Sequence, residues 1–356
     1  MEDEILTELR KKIEKIDEKL VKVLMERAAV SVEIGKRKKL LNLPITDLRR
    51  ESFVYERVLE LDAGPLRREH LLAIFREIIS SSRALQQEVS VAYLGPEGTF
   101  THMAALKQFG QSPTFVAMGS IKEVFDRVES GDNDYGVVPV ENSVEGVVTY
   151  TLDAFFTSNL RVVGEVYLRI SHVLASLSEV FSKVYGHPQA IAQCREWLSK
   201  NLPNVSIVGT SSSAEAAIKS ASEPGTACVT TAFAAHKYGL RILKEHIEDY
   251  PSNTTRFWIL GRELLGPTGK DKTSILFSVK NVPGALYHAL EVFAANNVNL
   301  TKLESRPMKS VQWEYLFFAD LIGHYSEEKV KVALEGLRDR ASYFKLLGSY
   351  PQGINT

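Results

Sequence analysis

ILTELRKKIEKIDEKLVKVLMERAAVSVEIGKRKKL, residues 5–40, contains no proline and one glycine, Gly35. Its apolar residues Leu6, Leu9, Ile13, Ile16, Leu20, Val23, Val30 and Ile34 step by three and four, the spacing of one buried helical stripe. Arg27 fills the single gap in that series. Arg10 lies one step past Leu6, beside the stripe, and Lys38 one step past Ile34. A lone cation on such a stripe commonly snorkels or meets a carboxylate of its own fold. Three in register favour a cationic pocket for a small polyanion, because a dry cation without an anion is strongly destabilising. About 36 helical residues at ~1.5 Å each span ~54 Å, whereas a compact 90-residue domain is only ~25–30 Å across. The stripe therefore predicts a second copy of the chain, a homodimer.

The whole chain has 356 residues, a net charge of −1 and 44% hydrophobic residues, which suits two or three globular domains. Near-neutral charge without a long run of one sign points away from nucleic acid. The acidic, then helical start MEDEILTELRKK does not read as a signal peptide, and no apolar run is long enough for a bilayer. Two cysteines, Cys194 and Cys228, fit a reducing cytoplasm. The eight histidines are scattered, without HExxH or CxxC, so neither a metal nor a cofactor is expected.

Leu43-Pro44 ends the long helix. A second begins at Thr46-Asp47 and places Asp47, Arg50, Glu51, Val54, Val58 and Leu61 on one face; Ala63-Gly64-Pro65 ends it. A third, from Leu66 to about Glu88, carries Leu71, Phe75, Ile78, Ile79, Ser82, Leu85 and Gln86. Capping and fraying explain each polar position singly; one shared site explains all. LRKKIEKIDEKLVKVLMERAAVSVEIGKRK, DLRRE and SRALQQ make residues 1–88 resemble the all-helical chorismate mutase domain. The resemblance implies an intertwined dimer in which Arg10 is borrowed by the partner's site. Arg27 would bind a carboxylate, and Lys38 and Gln86 would face the ether oxygen. Asp47 and Glu51 would hold the hydroxyl, with Arg50 and Ser82 completing the wall. A pericyclic rearrangement needs no nucleophile, only a clamp on two carboxylates and cations at the developing charge.

From Val89 strands and helices alternate, predicting an α/β sheet with ligands at strand ends and helix N-termini. Ser120 is the expected N-cap of SIKEVFDRVESGD, with Glu123 completing a capping box. RVVGEVYLRISHVLAS reads as paired strands crossing into a second lobe, and NTTRFWIL as the return. GPEGT lacks the Lys-Ser/Thr of a P-loop. TSSSAEAA alone is a helix cap, ENS alone a turn. In order, GPEGTFTHMAA, YGVVPVENSVEG, HPQAIAQC, TSSSAEAA and TTRFWILG make residues 89–268 resemble the prephenate dehydratase domain. That implies a two-lobed, periplasmic-binding-protein-like fold. Thr255 would serve the leaving hydroxyl, and Arg256 would hold the local geometry or a carboxylate. Glu141, Asn142, Ser143, His187, Gln193 and Phe257 would line the cleft, with hydroxyls from Thr99, Ser212 and Ser213. Gly186 departs from relatives that carry serine there.

Residues 269–356 follow the linker GPTGKDK and read βαββαβ, a ferredoxin-like order, with Ser326 as a cap of the second helix. GAL at 284–286 and ESRP at 304–307 make this region similar to the ACT regulatory domain of phenylalanine-sensitive dehydratases. The resemblance implies a phenylalanine site at Gly284, Ala285, Leu286, Glu304, Ser305 and Arg306, shared between copies. The three resemblances imply a cytoplasmic, dimeric or tetrameric enzyme of two consecutive reactions, chorismate to prephenate to phenylpyruvate, with feedback by phenylalanine. The alternatives are an arogenate-preferring dehydratase and a non-catalytic phenylalanine-responsive regulator.

Overall fold

The computed structural model describes residues 3–61, 64–307 and 315–353. The chain forms two compact units, one running up to Val89 together with Phe109–Thr114, the other Ser90–Gln108 together with Phe115 onward.

The first unit holds α1 (Glu4–Leu40), α2 (Leu48–Glu60) and α3 (Arg68–Ala84). Asp3 starts α1 by accepting from the Ile5 amide, and Arg37, Lys38 and Lys39 complement the dipole at its end. Asp47 caps α2, accepting from Arg50 N at 3.0 Å. Ala63, part of the expected stop of this helix, lies outside the described residues; α2 already ends at Glu60. α3 is shorter than its sequence pattern suggested, so Gln86 sits just beyond it. Gly35 lets α1 approach α3 there: a Cβ at this position would lie 2.9 Å from Gln86 Cβ and 3.2 Å from Gln86 Cα. The stripe of α1 lies open on the single chain, with Leu9, Ile13, Ile16, Leu20 and Val23 each 50–60% exposed.

The second unit begins with β1 (Ser90–Leu94), α4 (Phe100–Phe109), β2 (Thr114–Met118), α5 (Ile121–Glu129), β3 (Tyr135–Asn142), β4 (Gly146–Val147), α6 (Thr149–Thr157) and β5 (Arg161–Arg169). There follow β6 (Val173–Ser176), β7 (Lys183–Gly186), α7 (Pro188–Gln193), α8 (Arg195–Asn201), β8 (Ser206–Gly209), α9 (Ser213–Ser222), β9 (Thr226–Thr230), α10 (Ala232–Lys237), β10 (Arg241–Lys244) and β11 (Thr254–Gly261). Two sheets result. One is ordered β2-β1-β3-β11-β5, with β4 on β3; the other is ordered β10-β6-β9-β7-β8. The expected pairing of the strands in RVVGEVYLRISHVLAS does not form: β5 pairs with β11, whereas β6 pairs with β9 and β10. Ile170–His172 between them has no tight-turn residue, so the chain crosses instead of doubling back. Ser120 caps α5 as expected; its Glu123 reaches the amide of Gly119 at 2.9 Å, not that of Ser120.

The chain closes with β12 (Asp271–Ser278), α11 (Ala285–Ala295), β13 (Leu300–Pro307), β14 (Tyr315–Ile322), α12 (Glu328–Arg340) and β15 (Tyr343–Pro351). Trp313 and Glu314, expected to open the third of these strands, lie outside the described residues. The sheet order is β13-β14-β12-β15. Ser326 does not cap α12: its hydroxyl pairs with His324 Nδ1 at 2.7 Å, and Glu327 occupies the N-cap position. Alternation splits this sheet between two cores. Ile275, Phe277, Phe317, Ala319 and Leu321 pack with α11 and α12. Leu276, Phe318, Leu347 and Tyr350 join the core of the six-stranded sheet around Trp258. Gly348 permits this packing, since a Cβ there would fall 2.9 Å from Val162 C and closer still to its carbonyl oxygen.

Candidate functional site

In the helical unit, Arg27 Nη1 donates to Ser82 Oγ, which donates in turn to Ile78 O at 2.7 Å. Gln86 Nε2 donates to Ser82 O at 3.2 Å, while its buried Oε1 has no hydrogen-bond partner among the described residues. Lys38 Nζ donates to Ile45 O at 2.7 Å. Arg27, Ser82 and Gln86 therefore meet where α1 and α3 approach, and burial pushes the Arg27 guanidinium below its ordinary pKa. Asp47 is engaged as the cap of α2. Glu51 is clamped by Arg83 through bonds of 2.9, 2.9 and 3.1 Å, and Arg83 Nη1 also reaches Phe109 O at 3.1 Å. Burial pushes the Glu51 carboxyl up, with Arg83 opposing. Sequence reasoning missed Arg83, although it lies one helical step past Ile79 on the buried side of α3. Arg50 and Arg10 are exposed. Arg10 precedes Arg27 by about five turns of one straight helix, ~26 Å.

In the second unit, β3 and β11 are neighbours, with Asn142 opposite Thr255 and Glu141 opposite Arg256. Successive residues of a strand face opposite ways. Asn142 and Thr255 share one face: Asn142 Nδ2 donates to Thr255 Oγ1 at 2.8 Å and to Asn253 Oδ1 at 2.7 Å. Asn142 Oδ1 accepts from the amides of Val144 and Glu145 at 2.9 and 3.0 Å, which sets the orientation of the side-chain amide. Ser143 closes the turn, its hydroxyl accepting from Thr254 N at 2.9 Å. Glu145 Oε1 accepts from Gln193 Nε2 at 2.6 Å, and Gln193 Oε1 meets His172 Nε2 at 2.8 Å. The loop after β3 thus reaches α7. Burial lowers the pKa of His172 and of His187, so both imidazoles favour the neutral form.

Glu141, expected in the cleft beside Asn142, instead meets Lys302 of β13 at 2.5 Å, because alternation turns it to the other face. Arg256 turns the same way. Its Nε donates to Glu165 at 2.7 Å, Nη2 to Tyr350 Oη at 2.9 Å, and Nη1 to Asp320. Arg256 is thereby anchored to the C-terminal sheet through Asp320 and Tyr350. Phe257 is buried. Thr99, Ser212 and His187 all serve helix starts: Thr99 Oγ1 accepts from His102 N, Ser212 Oγ from Glu215 N and His187 Nδ1 from Gln189 N. Ser213 opens α9 and its carbonyl accepts from Thr230 Oγ1 at 2.7 Å. Asn253, Glu145 and His172 escaped the sequence reading, although each lies within a stretch it quoted, NTTRFWIL, YGVVPVENSVEG and RVVGEVYLRISHVLAS. At Gly186 the room for a side chain is filled by Ile191, whose Cδ1 would lie 2.5 Å from an added Cβ. A groove of about 540 Å³ between α5 and α6, lined by Leu94, Ile121, Phe125, Tyr150 and Asp153 among others, contains none of the expected site residues.

In the C-terminal region, Gly284 is the N-cap of α11 with φ +81°, a left-handed conformation that favours glycine. Ala285 and Leu286 begin the helix, half-buried. On β13, Glu304 and Arg306 are half-buried and Ser305 exposed. Arg306 Nη1 donates to Thr149 O at 2.7 Å and to Asp153 Oδ1 at 2.8 Å, both on α6. Among the described residues, no group of three or more His, Cys, Asp or Glu is arranged to hold a metal ion, and no helix is long and apolar enough to cross a membrane.

Family models match the chain in the same order. Residues 9–87 match chorismate mutase type II, 91–264 prephenate dehydratase and 273–339 the ACT domain. A bifunctional chorismate mutase/prephenate dehydratase of Aquifex aeolicus is 47% identical over 99% of both chains. The chain belongs to the bifunctional chorismate mutase/prephenate dehydratase family. Its counterpart in Pseudomonas aeruginosa is 43% identical over 98% of both chains. Among solved structures, the prephenate dehydratase of Arthrobacter aurescens in complex with L-Phe is 36% identical, with a TM-score of 0.68 over 74% of this chain and 90% of that one. The protein is therefore an enzyme of phenylalanine biosynthesis, with a mutase domain that makes prephenate and a dehydratase domain that converts it to phenylpyruvate.

Proposed function

We propose that each mutase site is built by two copies of the chain. Arg27, Lys38, Ser82 and Gln86 come from one, and Arg10 comes from the other. The open stripe on α1 supports the pairing, and the ~26 Å separation of Arg10 from Arg27 along a straight helix keeps both from serving one site within a chain. Arg27 clamps a chorismate carboxylate, and Lys38 meets the charge that develops on the ether oxygen. Asp47 and Glu51, the latter held by Arg83, close the α2 side.

The dehydratase reaction is assigned to Thr255, and the observation that carries it is the Asn142–Thr255 hydrogen bond. Asn142 has its oxygen committed to two backbone amides, so it presents N–H to Thr255. Thr255 accepts that bond and keeps its own proton to donate. As the ring carboxylate leaves as CO2, its bonding electrons enter the ring and the C–O bond to the ring hydroxyl breaks. Thr255 donates a hydrogen bond to that departing oxygen, which leaves as hydroxide and takes its proton from solvent to become water, and the Asn142 N–H makes Thr255 a better hydrogen-bond donor. Gln193 and Ser143 face the same cleft.

The C-terminal domain, a ferredoxin-like βαββαβ unit, is assigned as a phenylalanine sensor. The amides at the start of α11 suit the amino-acid carboxylate, and Glu304 suits the ammonium. The ACT match and the L-Phe complex of the Arthrobacter relative support feedback inhibition. The two buried cysteines and the biosynthetic relatives favour a cytoplasmic location.

The test follows chorismate loss and phenylpyruvate formation separately, with and without phenylalanine, in the wild type, Lys38→Ala and Thr255→Ala. Lys38→Ala should lose only the mutase and Thr255→Ala only the dehydratase. Near-normal phenylpyruvate release by Thr255→Ala removes Thr255 from the mechanism. Replacing prephenate by arogenate in the same assay decides substrate preference.

A further inference from the structure

Beneath the catalytic face of β11 lies a buried set of charges that the dehydratase chemistry does not use. Arg256, Glu165, Lys272 and Asp320 are each less than 9% exposed. Glu165 accepts from Arg256 Nε at 2.7 Å and from Lys272 Nζ at 2.8 and 3.0 Å. Asp320 accepts from Arg256 Nη1 and from Ser274 Oγ at 2.5 Å. Tyr350 Oη accepts from Arg256 Nη2 at 2.9 Å and shares a hydrogen bond with Ser274. Two carboxylates balance two cations. Arg256 and Glu165 come from the dehydratase sheet; Lys272, Ser274, Asp320 and Tyr350 come from the regulatory sheet.

A buried, hydrogen-bonded charge network defines one geometry sharply, because a misplaced member leaves an uncompensated charge. Arg256 is the residue after Thr255 in the same strand and points the opposite way. Wherever the network places Arg256, the peptide between them places Thr255. The surroundings leave little slack, with Trp258 and Phe318 in contact at 5.2 Å between ring centroids and Gly348 against the backbone of Val162.

We propose that Asp320, from the regulatory sheet, is a positioning residue for the dehydratase reaction, setting Thr255 through Arg256. The dehydratase site is then completed by the domain that follows it, and a ligand that shifts the regulatory sheet acts on kcat through this contact. The proposal rests on Thr255 being the catalytic hydroxyl.

The test is Asp320→Asn in the full chain, assayed for both reactions beside Thr255→Ala, with Tyr350→Phe as the milder second variant. The dehydratase kcat of Asp320→Asn should fall about tenfold or more, with KM for prephenate within about twofold and the mutase unchanged. Tyr350→Phe should shift kcat the same way by less, and Asp320→Glu should recover part of the loss. A cluster that only joins the domains predicts a lower melting temperature with kcat intact. That result in either soluble variant overturns the proposal, as does a rise in KM alone. If Thr255→Ala is inactive while Asp320→Asn turns over normally, only this inference fails. If Thr255→Ala is fully active, the catalytic assignment fails with it.

Discussion

Replacing Gly35 by alanine sets two effects against each other inside one helix. The new Cβ would lie 2.8 Å from Gln86 Cγ, 2.9 Å from Gln86 Cβ and 3.2 Å from Gln86 Cα. Carbon atoms pack at ~3.5–4.0 Å, so a gap of roughly 0.6–1 Å must be opened. Rotation of the Gln86 side chain can carry its Cγ away, whereas its Cβ and its backbone retreat only if the chain just past the end of α3 moves. Overpacking of this kind costs about 1–3 kcal/mol, whereas glycine to alanine in a helix interior returns about 1 kcal/mol. The net loss of stability is small, between about 0 and 2 kcal/mol. Activity has no such offset. Gln86 is one of the groups brought to Arg27 and Ser82, and a misplacement near 1 Å can cost about 100-fold in rate. Gly35→Ala should therefore leave the helical unit folded, melting at most about 8–16 °C below the wild type for a unit of this size, yet lose about ten- to 100-fold in mutase kcat/KM by the same reasoning. Dehydratase activity on supplied prephenate in the same preparation should be unchanged. Mutase activity within about twofold of the wild type would refute the claim that close approach at Gly35 sets the site.

Arg83→Ala leaves Glu51 buried without its cation, which should destabilise the helical unit by about 3–5 kcal/mol in chemical denaturation; Glu51→Gln combined with it should recover part of that loss. Burial opposes the charge on Glu165, but Arg256 and Lys272 outweigh it and hold the carboxyl below its ordinary 4.5. A folded-state value below the unfolded one gives stability that is complete above about pH 5 and is lost as pH falls through the folded value. Melting temperature against pH should accordingly show an acid limb that Glu165→Gln flattens. Gly186→Ser should lower dehydratase stability through the clash with Ile191, and Ile191→Ala in the same chain should relieve it; an undisturbed single variant would mean that Ile191 moves freely.

Much of this molecule was written locally. The stripe of α1, the caps at Asp47 and Ser120 and the glycine at the head of α11 each depend on residues within a few positions, where spacing and backbone preference act without knowledge of the rest of the chain. Strand alternation is local too and puts Thr255 and Arg256 on opposite faces, although the motif reading had set the neighbours Glu141 and Asn142 in one cleft. What it left open was which neighbour each face would meet. Asn142, 113 residues away from Thr255, and Asp320, 64 away from Arg256, arrive only when the sheets assemble. Arg83 and Glu51 are a similar case, ordinary polar residues of two helices until packing removes the water between them. Periodicity reports that a side is buried; the partner that makes burial of a charge tolerable is chosen by the tertiary fold, because Coulomb and hydrogen-bond energies depend on distance in space and not along the chain.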